Sequence, residues 1–209
     1  FFFVLPGALT PVLSNYFGYS LSFIGYCFTL MMLARTTGNF FAGKKISSLN
    51  FHSFILKTTS LIVAMFCIVF LFDNIWVFIV CTFIGSLALG AHFAVSNNLI
   101  LYLYSGKQRT AQISFMNSFY CIGAITSPFI LSFFLKNSIH WAWILLAAAA
   151  ATITALLCLK SDKDIFAVKT KEEQVPQLII NKYIVLSAAA ICLHLMAETI
   201  FSLWLPVFL

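Results

Sequence analysis

The residues best suited to chemistry lie near the end of the chain, in the apolar stretch HLMAETIFSLWLP, residues 194–206. Glu198 is the only carboxylate embedded in an apolar segment. His194, Glu198 and Ser202 follow i, i+4, i+8 spacing and therefore share one face of a helix. A carboxylate in a low-dielectric site can bind and release a proton near neutral pH. The pattern predicts proton coupling through Glu198, tuned by His194, with a purely structural Glu–His pair as the alternative.

Trp204 lies on the same predicted helix at a different angle. Its indole ring has two possible uses, stacking on the face of a sugar or anchoring the helix at the membrane interface, where Trp is enriched. We expect a substrate contact at Trp204 and keep the anchor as the alternative.

A second polar group interrupts the apolar stretch GSLALGAHFAVSNN, residues 85–98. Gly85 and Gly90 allow a neighbouring helix to approach closely. The polar residues after them are His92, Ser96, Asn97 and Asn98. Hydrogen bonds between helices explain any one of these, whereas the cluster indicates the wall of a water-filled cavity, because polar groups in lipid are costly. We expect His92 and Asn97 to contact substrate.

The stretch SFMNSFYCIGAITSP places Asn117, Gly123 and Pro128 in one apolar segment. A proline inside a helix removes one backbone hydrogen bond, which neighbours or water must replace. Gly123 and Pro128 therefore predict a kinked or thinned helix that suits a moving gate. Asn117 is the predicted substrate contact of this segment.

Arg35 is an intramembrane cation, about two turns from the basic end of its segment at Lys44. Its long side chain either reaches the cytoplasmic surface or stays buried with a role in gating. Both interpretations remain open from the sequence.

Enzyme chemistry has little support in the sequence. No nucleophile–base arrangement, phosphate-binding glycine loop or pair of carboxylates is evident. The six cysteines lie singly inside apolar segments, without the spacing of a metal site or a disulfide framework. Glu198 and His194 are not joined by a third metal ligand at suitable spacing. We therefore expect neither a cofactor nor a metal.

Composition determines the class of protein that must position these residues. Hydrophobic residues make up 62% of the 209 residues, charged residues 9%, and the mean hydropathy is +1.00. Soluble domains carry about 25% charged residues. A bilayer removes the need for a polar exterior. The sequence therefore predicts an all-α polytopic membrane protein, and the net charge of +6 is assigned to loops rather than to nucleic-acid binding.

Seven apolar segments follow one another along the chain. A spanning helix needs about 20 residues, so the first segment is expected to be incomplete, with Gly7 and Pro11 interrupting it. The predicted segments are Phe1–Ser14, Leu21–Ala42, Phe54–Phe72, Ile75–Tyr104, Ala111–Leu135, Ile139–Leu159 and Tyr183–Leu209. We expect a bundle over residues 1–159, a polar linker over 160–182, and the first helix of a second bundle over 183–209.

Basic residues are distributed unequally between the loops. Alternate loops and the linker hold ten Lys and Arg residues, whereas the loops between them hold Lys136 alone. By the positive-inside rule, the basic loops and the linker are predicted to be cytoplasmic. The predicted location is the cell membrane, as a multi-pass protein of a bacterial inner membrane.

The stretch LSFIGYCFTLMMLARTTGNFFAGKKIS resembles the second helix and following loop of the major facilitator superfamily, with Gly38 and Gly43 at the glycine positions of that family. CIGAITSP is similar to the glycine–proline stretch of its fifth helix. Six segments, a basic linker and a seventh segment match the layout of the first half of such a transporter. We therefore expect the chain to be a piece of a longer protein.

Within the superfamily, the chain most resembles the fucose–proton symporter-like sugar transporters, through QISFMNSFYCIGA and AETIFSLWLP. Asn117 falls where that group carries a polar sugar-contacting side chain, and Phe93 replaces its helix-four carboxylate. The resemblance implies proton-coupled transport of a small polar solute, such as a sugar, by alternating access in the lipid bilayer. The alternative is a seven-helix receptor or scaffold without transport activity.

Overall fold

The computed structural model describes residues 5–46 and 50–158, which form six α-helices and no strand. The helices are α1 (Leu5–Phe17), α2 (Leu21–Lys44), α3 (Phe51–Leu71), α4 (Ile75–Leu103), α5 (Gly106–Lys136) and α6 (Trp143–Cys158). The all-α class is confirmed, and each of the first six predicted segments overlaps one of these helices. The predicted linker and seventh segment, with His194, Glu198 and Trp204, lie outside the described residues.

Three of the helices begin with a side-chain cap. The side-chain oxygens of Ser20, Asn50 and Asn74 accept hydrogen bonds from backbone amides in the first turns of α2, α3 and α4, at 3.2, 3.0 and 2.8 Å. Such caps satisfy N–H groups that have no partner within the helix. The short polar turns thus define where each apolar helix starts.

The first helix is continuous through Pro11, so the expected interruption at Gly7 and Pro11 is wrong. Proline removes a single backbone hydrogen bond, and neighbouring helices can compensate for that loss in a membrane protein. Leu9 and Leu13, on either side of Pro11, are buried in the bundle. Packing therefore holds the helix together across the proline.

The fifth helix starts at Gly106, five positions before the predicted Ala111, because it extends beyond the apolar run. Arg109 in its first turn donates from Nε to the carbonyl oxygen of Tyr104 at 3.1 Å and from Nη2 to that of Leu101 at 3.0 Å. A basic side chain at these positions satisfies the last carbonyl groups of α4. The polar start of α5 is therefore part of the turn that joins it to α4.

The sixth helix starts at Trp143 rather than the predicted Ile139. Ser138 in the preceding turn has φ 56°, a backbone conformation that ends a helix. The Nδ1 atom of His140 accepts a hydrogen bond from the amide of Ala142 at 3.3 Å. The residues before Trp143 thus form a turn although their side chains are largely apolar.

The α2 and α4 helices make the closest helix contact in the described bundle. A Cβ atom at Gly38 would overlap the carbonyl oxygen of Leu87, and one at Gly90 would overlap the carbonyl oxygen of Arg35. Small residues allow helix backbones in membranes to approach in this way. Both glycines are buried. At each position, the backbone of the opposite helix leaves no room for a side chain.

An apolar core fills the space between the six described helices, with α5 contributing Leu131. Leu13, Ile24 and Ile144 have no exposed surface, and Phe78 is 2% exposed. The ring of Phe78 meets those of Phe28 and Trp141 edge-on, with centroids 6.4 and 5.8 Å apart. Edge-to-face pairs of this kind add to the stability gained from burial.

The outer surface of the bundle is also apolar. By length and composition, α3 and α4 can each cross a membrane, with mean hydropathies of 2.3 and 2.0. Large side chains such as Tyr26 and Leu71 are 72% and 71% exposed. Lipid is the natural solvent for such an exterior.

Candidate functional site

The α5 helix carries a polar stripe on a surface that the other five described helices leave open. Ser114, Asn117, Ser118 and Cys121 follow i, i+3, i+4, i+7 spacing, and all four are exposed. Ser118 donates to the carbonyl oxygen of Ser114 at 3.0 Å. Asn117 makes no side-chain hydrogen bond within residues 5–46 and 50–158, so its amide group is available to a ligand.

The opposite side of α5 faces the bundle. Met116 and Gly123 are half-buried there, while Ser127 and Leu131 are buried. These residues lie roughly half a turn around the helix from the polar stripe. The stripe therefore points away from the helices that hold α5 in place.

His92 lies against α3. Its Nδ1 atom is 3.3 Å from the hydroxyl oxygen of Thr58 and 3.4 Å from that of Thr59. The Thr58 hydroxyl already donates to the carbonyl oxygen of Phe54 at 2.9 Å. The tautomer with a proton on Nδ1 therefore fits this position, since it donates towards the Thr58 oxygen.

Asn97 lies five residues beyond His92, so the two side chains leave α4 roughly 140° apart. Asn97 is half-buried and makes no hydrogen bond among the described residues, whereas the amide of Asn98 donates to the carbonyl oxygen of Ala94 at 2.9 Å. The two side chains therefore leave α4 in different directions. Their predicted contacts with substrate stay predictions.

Arg35 lines a cavity of about 70 Å³ inside the bundle, between α1, α2, α3, α4 and α6. Its backbone carbonyl group is the one that packs against Gly90. Neither His92, Asn97 nor Asn117 lines this cavity. The structure thus distributes the predicted polar residues over separate places in the bundle.

Gly123 and Pro128 both lie inside α5, which continues through them to Lys136. Gly123 is half-buried on the bundle side of the helix. Their predicted role in gating stays a prediction.

A cluster at the end of the bundle opposite Arg109 was not predicted as a functional group. The hydroxyl of Tyr16 donates to a carboxylate oxygen of Asp73. The Tyr16 ring also meets those of His140 and Trp141 edge-on, with centroids 5.0 and 6.1 Å apart. Asp73 is the only acidic residue between positions 5 and 158. This isolation is the sequence feature that could have indicated the cluster. Within the described residues, no group of three or more His, Cys, Asp and Glu side chains could hold a metal.

Comparison with known proteins gives one family. The model of the Major Facilitator Superfamily matches residues 1–209. No solved structure matches the chain.

Several relatives share the name TsgA. A "Protein TsgA homolog" from Buchnera aphidicola subsp. Acyrthosiphon pisum is 24% identical over 209 residues, which cover 97% of this chain and 53% of the relative. Homologues of the same name from Enterobacter and from Buchnera aphidicola subsp. Schizaphis graminum are 24% and 26% identical, over 55% and 52% of their lengths. The chain therefore spans about half the length of the curated relatives it matches.

Proposed function

Because the chain belongs to the Major Facilitator Superfamily, we propose that the whole protein is a secondary active transporter, which moves a small polar solute, such as a sugar, by alternating access. Protons drive the transport. Residues 1–159 supply the first bundle, residues 160–182 a cytoplasmic linker, and residues 183–209 the first helix of the second bundle. The basic loops lie on the cytoplasmic side of a bacterial inner membrane.

The polar stripe of α5 carries this proposal. Ser114, Asn117 and Ser118 are exposed on the side of α5 that faces away from the bundle. Polar groups facing lipid are costly, so this side requires a polar environment. Secondary transporters bind substrate near the bilayer midplane between their repeats or bundles. The stripe therefore borders the transport path, and Asn117 contacts the solute.

The other predicted residues take supporting roles. His92 and Asn97 on α4 and Trp204 on the seventh segment contact the solute from other sides. Glu198 carries the coupled proton, with His194 as its partner on the same helical face. Arg35, Gly123 and Pro128 serve the gating movement.

Uptake by the full-length protein in proteoliposomes tests this proposal. A panel of labelled sugars is offered with and without an inward proton gradient. Replacing Asn117 by Ala should lower kcat/KM about tenfold, the loss expected for one or two hydrogen bonds to substrate. Asn137→Ala is the matched control, because the Asn137 amide donates to the Phe133 carbonyl oxygen in the turn after α5.

Equal uptake by the Asn117→Ala and Asn137→Ala variants would contradict the assignment of the stripe. Ligand binding without any accumulation would favour the receptor or scaffold alternative.

The coupling role of Glu198 has a separate test. Glu198→Gln keeps the size of the side chain but removes its exchangeable proton, so solute exchange should continue while proton-driven accumulation is lost. Glu172→Gln, a carboxylate of the predicted linker, is the control. Full pH-dependent accumulation by Glu198→Gln would exclude the proton-carrier role.

A further inference from the structure

Cationic side chains collect at one end of the described bundle, which we call the basic end. The end of α2, the start of α3 and the turn from α4 to α5 meet there. The rings of Phe51 in α3 and Tyr102 in α4 have centroids 5.5 Å apart. Ala42, near the end of α2, belongs to the same buried cluster as Phe51. The basic end carries five exposed cations, which are Lys44, Lys45, Lys57, Lys107 and Arg109.

The charge of the basic end is not balanced by carboxylates. Asp73 is the only acidic residue between positions 5 and 158. It precedes the start of α4, whereas the basic end lies where α4 finishes, so the 29 residues of α4 separate them by roughly 40 Å. At physiological salt, the interaction between exposed charges is screened beyond about 8 Å. The cations therefore attract a partner with negative charge.

Exposed apolar side chains surround these cations. The Nζ atom of Lys44 lies 4.4 Å from the centroid of the Phe40 ring, and both Phe40 and Phe41 are more than half exposed. On α3, Leu56 and Leu61 are exposed beside Lys57. A partner must therefore offer negative charge to the lysines and apolar surface to their neighbours. A nucleic acid, whose phosphates are hydrated on all sides, offers only the first.

We propose that the basic end binds phospholipids whose headgroups carry a net negative charge. The phosphate oxygens pair with the ammonium groups of Lys44 and Lys57, and the acyl chains lie along Phe40, Phe41 and Leu56. Lysine suits this position because its apolar stem covers apolar surface while its ammonium group reaches the headgroups. In the orientation proposed above, this end meets the cytoplasmic leaflet, where anionic lipids attract basic segments.

Thermal unfolding of the full-length protein in nanodiscs tests the lipid preference. Replacing phosphatidylcholine by phosphatidylglycerol in steps should raise Tm saturably, as a ligand of the native state does. Sodium chloride should reduce the increase, because salt screens the ion pairs. Inorganic phosphate, added to phosphatidylcholine nanodiscs at the same ionic strength, should leave Tm unchanged because it has no acyl chains.

Exposed lysines at the two ends of the bundle provide matched variants. Lys57→Gln should weaken the phosphatidylglycerol effect about fivefold, and the triple variant Lys44→Gln, Lys57→Gln, Lys107→Gln about a hundredfold. Glutamine and lysine have similar helix propensities, so α3 should still fold in the single variant. Lys136→Gln is the control, because it removes one exposed cation at the far end of α5 and should leave the lipid effect intact.

Equal Tm values in phosphatidylcholine and phosphatidylglycerol would overturn the proposal. Equal losses in Lys57→Gln and Lys136→Gln would also overturn it, since the lipid preference would then not belong to the basic end. An equal effect of inorganic phosphate would show that the surface binds anions without recognising a lipid. None of these outcomes depends on the uptake assay, because lipid binding at the basic end requires neither Asn117 nor a transported solute.

Discussion

His92 and Asn117 are both polar residues inside membrane-spanning helices, yet their surroundings differ. His92 lies between α4 and α3, within 3.4 Å of two threonine hydroxyls. Asn117 is exposed and makes no side-chain hydrogen bond in the described part of the chain. The first arrangement joins helices, whereas the second is open to a ligand.

Replacing His92 by Ala should therefore lower the free energy of unfolding, by about 1–3 kcal/mol, because the buried Thr59 hydroxyl loses its partner. Asn97→Ala, which removes no hydrogen bond among the described residues, should have a smaller effect. Denaturant unfolding in mild detergent measures both.

Thr59 provides the complementary variant. Thr59→Val removes the hydroxyl while keeping the shape of the side chain, and its effect should be less than additive with His92→Ala. Additive effects would show that the His92–Thr59 contact has no energetic weight.

At the scale of helices, the contact between α2 and α4 depends on glycine at two positions. Gly38 and Gly90 each lie where a Cβ atom would overlap a backbone carbonyl group of the other helix. A side chain can move aside by changing its rotamer, but a backbone carbonyl group cannot. The two helices must therefore separate to accept a side chain at either glycine. The small residues thus set the distance between α2 and α4, and with it the shape of the cavity beside Arg35.

Gly90→Val should destabilise the protein by at least about 1–3 kcal/mol, the usual effect of overpacking. Gly43→Ala is the control, because a Cβ atom at Gly43 would meet nothing within 4 Å. That control should be neutral or slightly stabilising, since alanine favours a helix over glycine. The midpoint of thermal unfolding distinguishes them, and equal midpoints would contradict the close approach.

For the molecule as a whole, the cluster around Tyr16 connects parts of the bundle that are far apart in sequence. Tyr16 at the end of α1 donates to Asp73 in the turn between α3 and α4. Its ring also contacts His140 in the turn between α5 and α6. Tyr16 therefore connects the end of α1 to two turns at the same end of the bundle.

Tyr16→Phe and Asp73→Asn should each lower Tm, and the double variant should lose less than the sum, with a coupling energy of about 0.5–1.5 kcal/mol. Tyr19→Phe is the control, because the Tyr19 ring stacks on Phe23 at 4.8 Å without a hydrogen bond from its hydroxyl among the described residues. Independent effects of Tyr16→Phe and Asp73→Asn would contradict the connection.

The sequence predictions were accurate where the sequence pattern has a strong physical cause. Long apolar runs gave the helices, because lipid leaves backbone groups no partner outside the helix. The predicted helix ends were less accurate where tertiary contacts determine them. The polar start of α5 is held by Arg109 on the end of α4, and α1 stays helical at Pro11 between buried leucines. The expected close approach is confirmed at Gly90, where a Cβ atom would overlap Arg35, but not at Gly85, where a Cβ atom would make only an ordinary contact with Met65 at 3.7 Å.

The membrane environment, the helices and the family of this protein all follow from the sequence. Each depends on local composition or on short motifs, such as the apolar runs and the glycines around Gly38, which need no knowledge of distant contacts. The surroundings of each polar side chain, by contrast, depend on how the helices pack. His92 and Asn97 are five residues apart but leave α4 in different directions, and Arg35 and Ser86, 51 positions apart, line one cavity. Side-chain direction depends on how the helices are rotated against one another, and packing across the bundle sets that rotation.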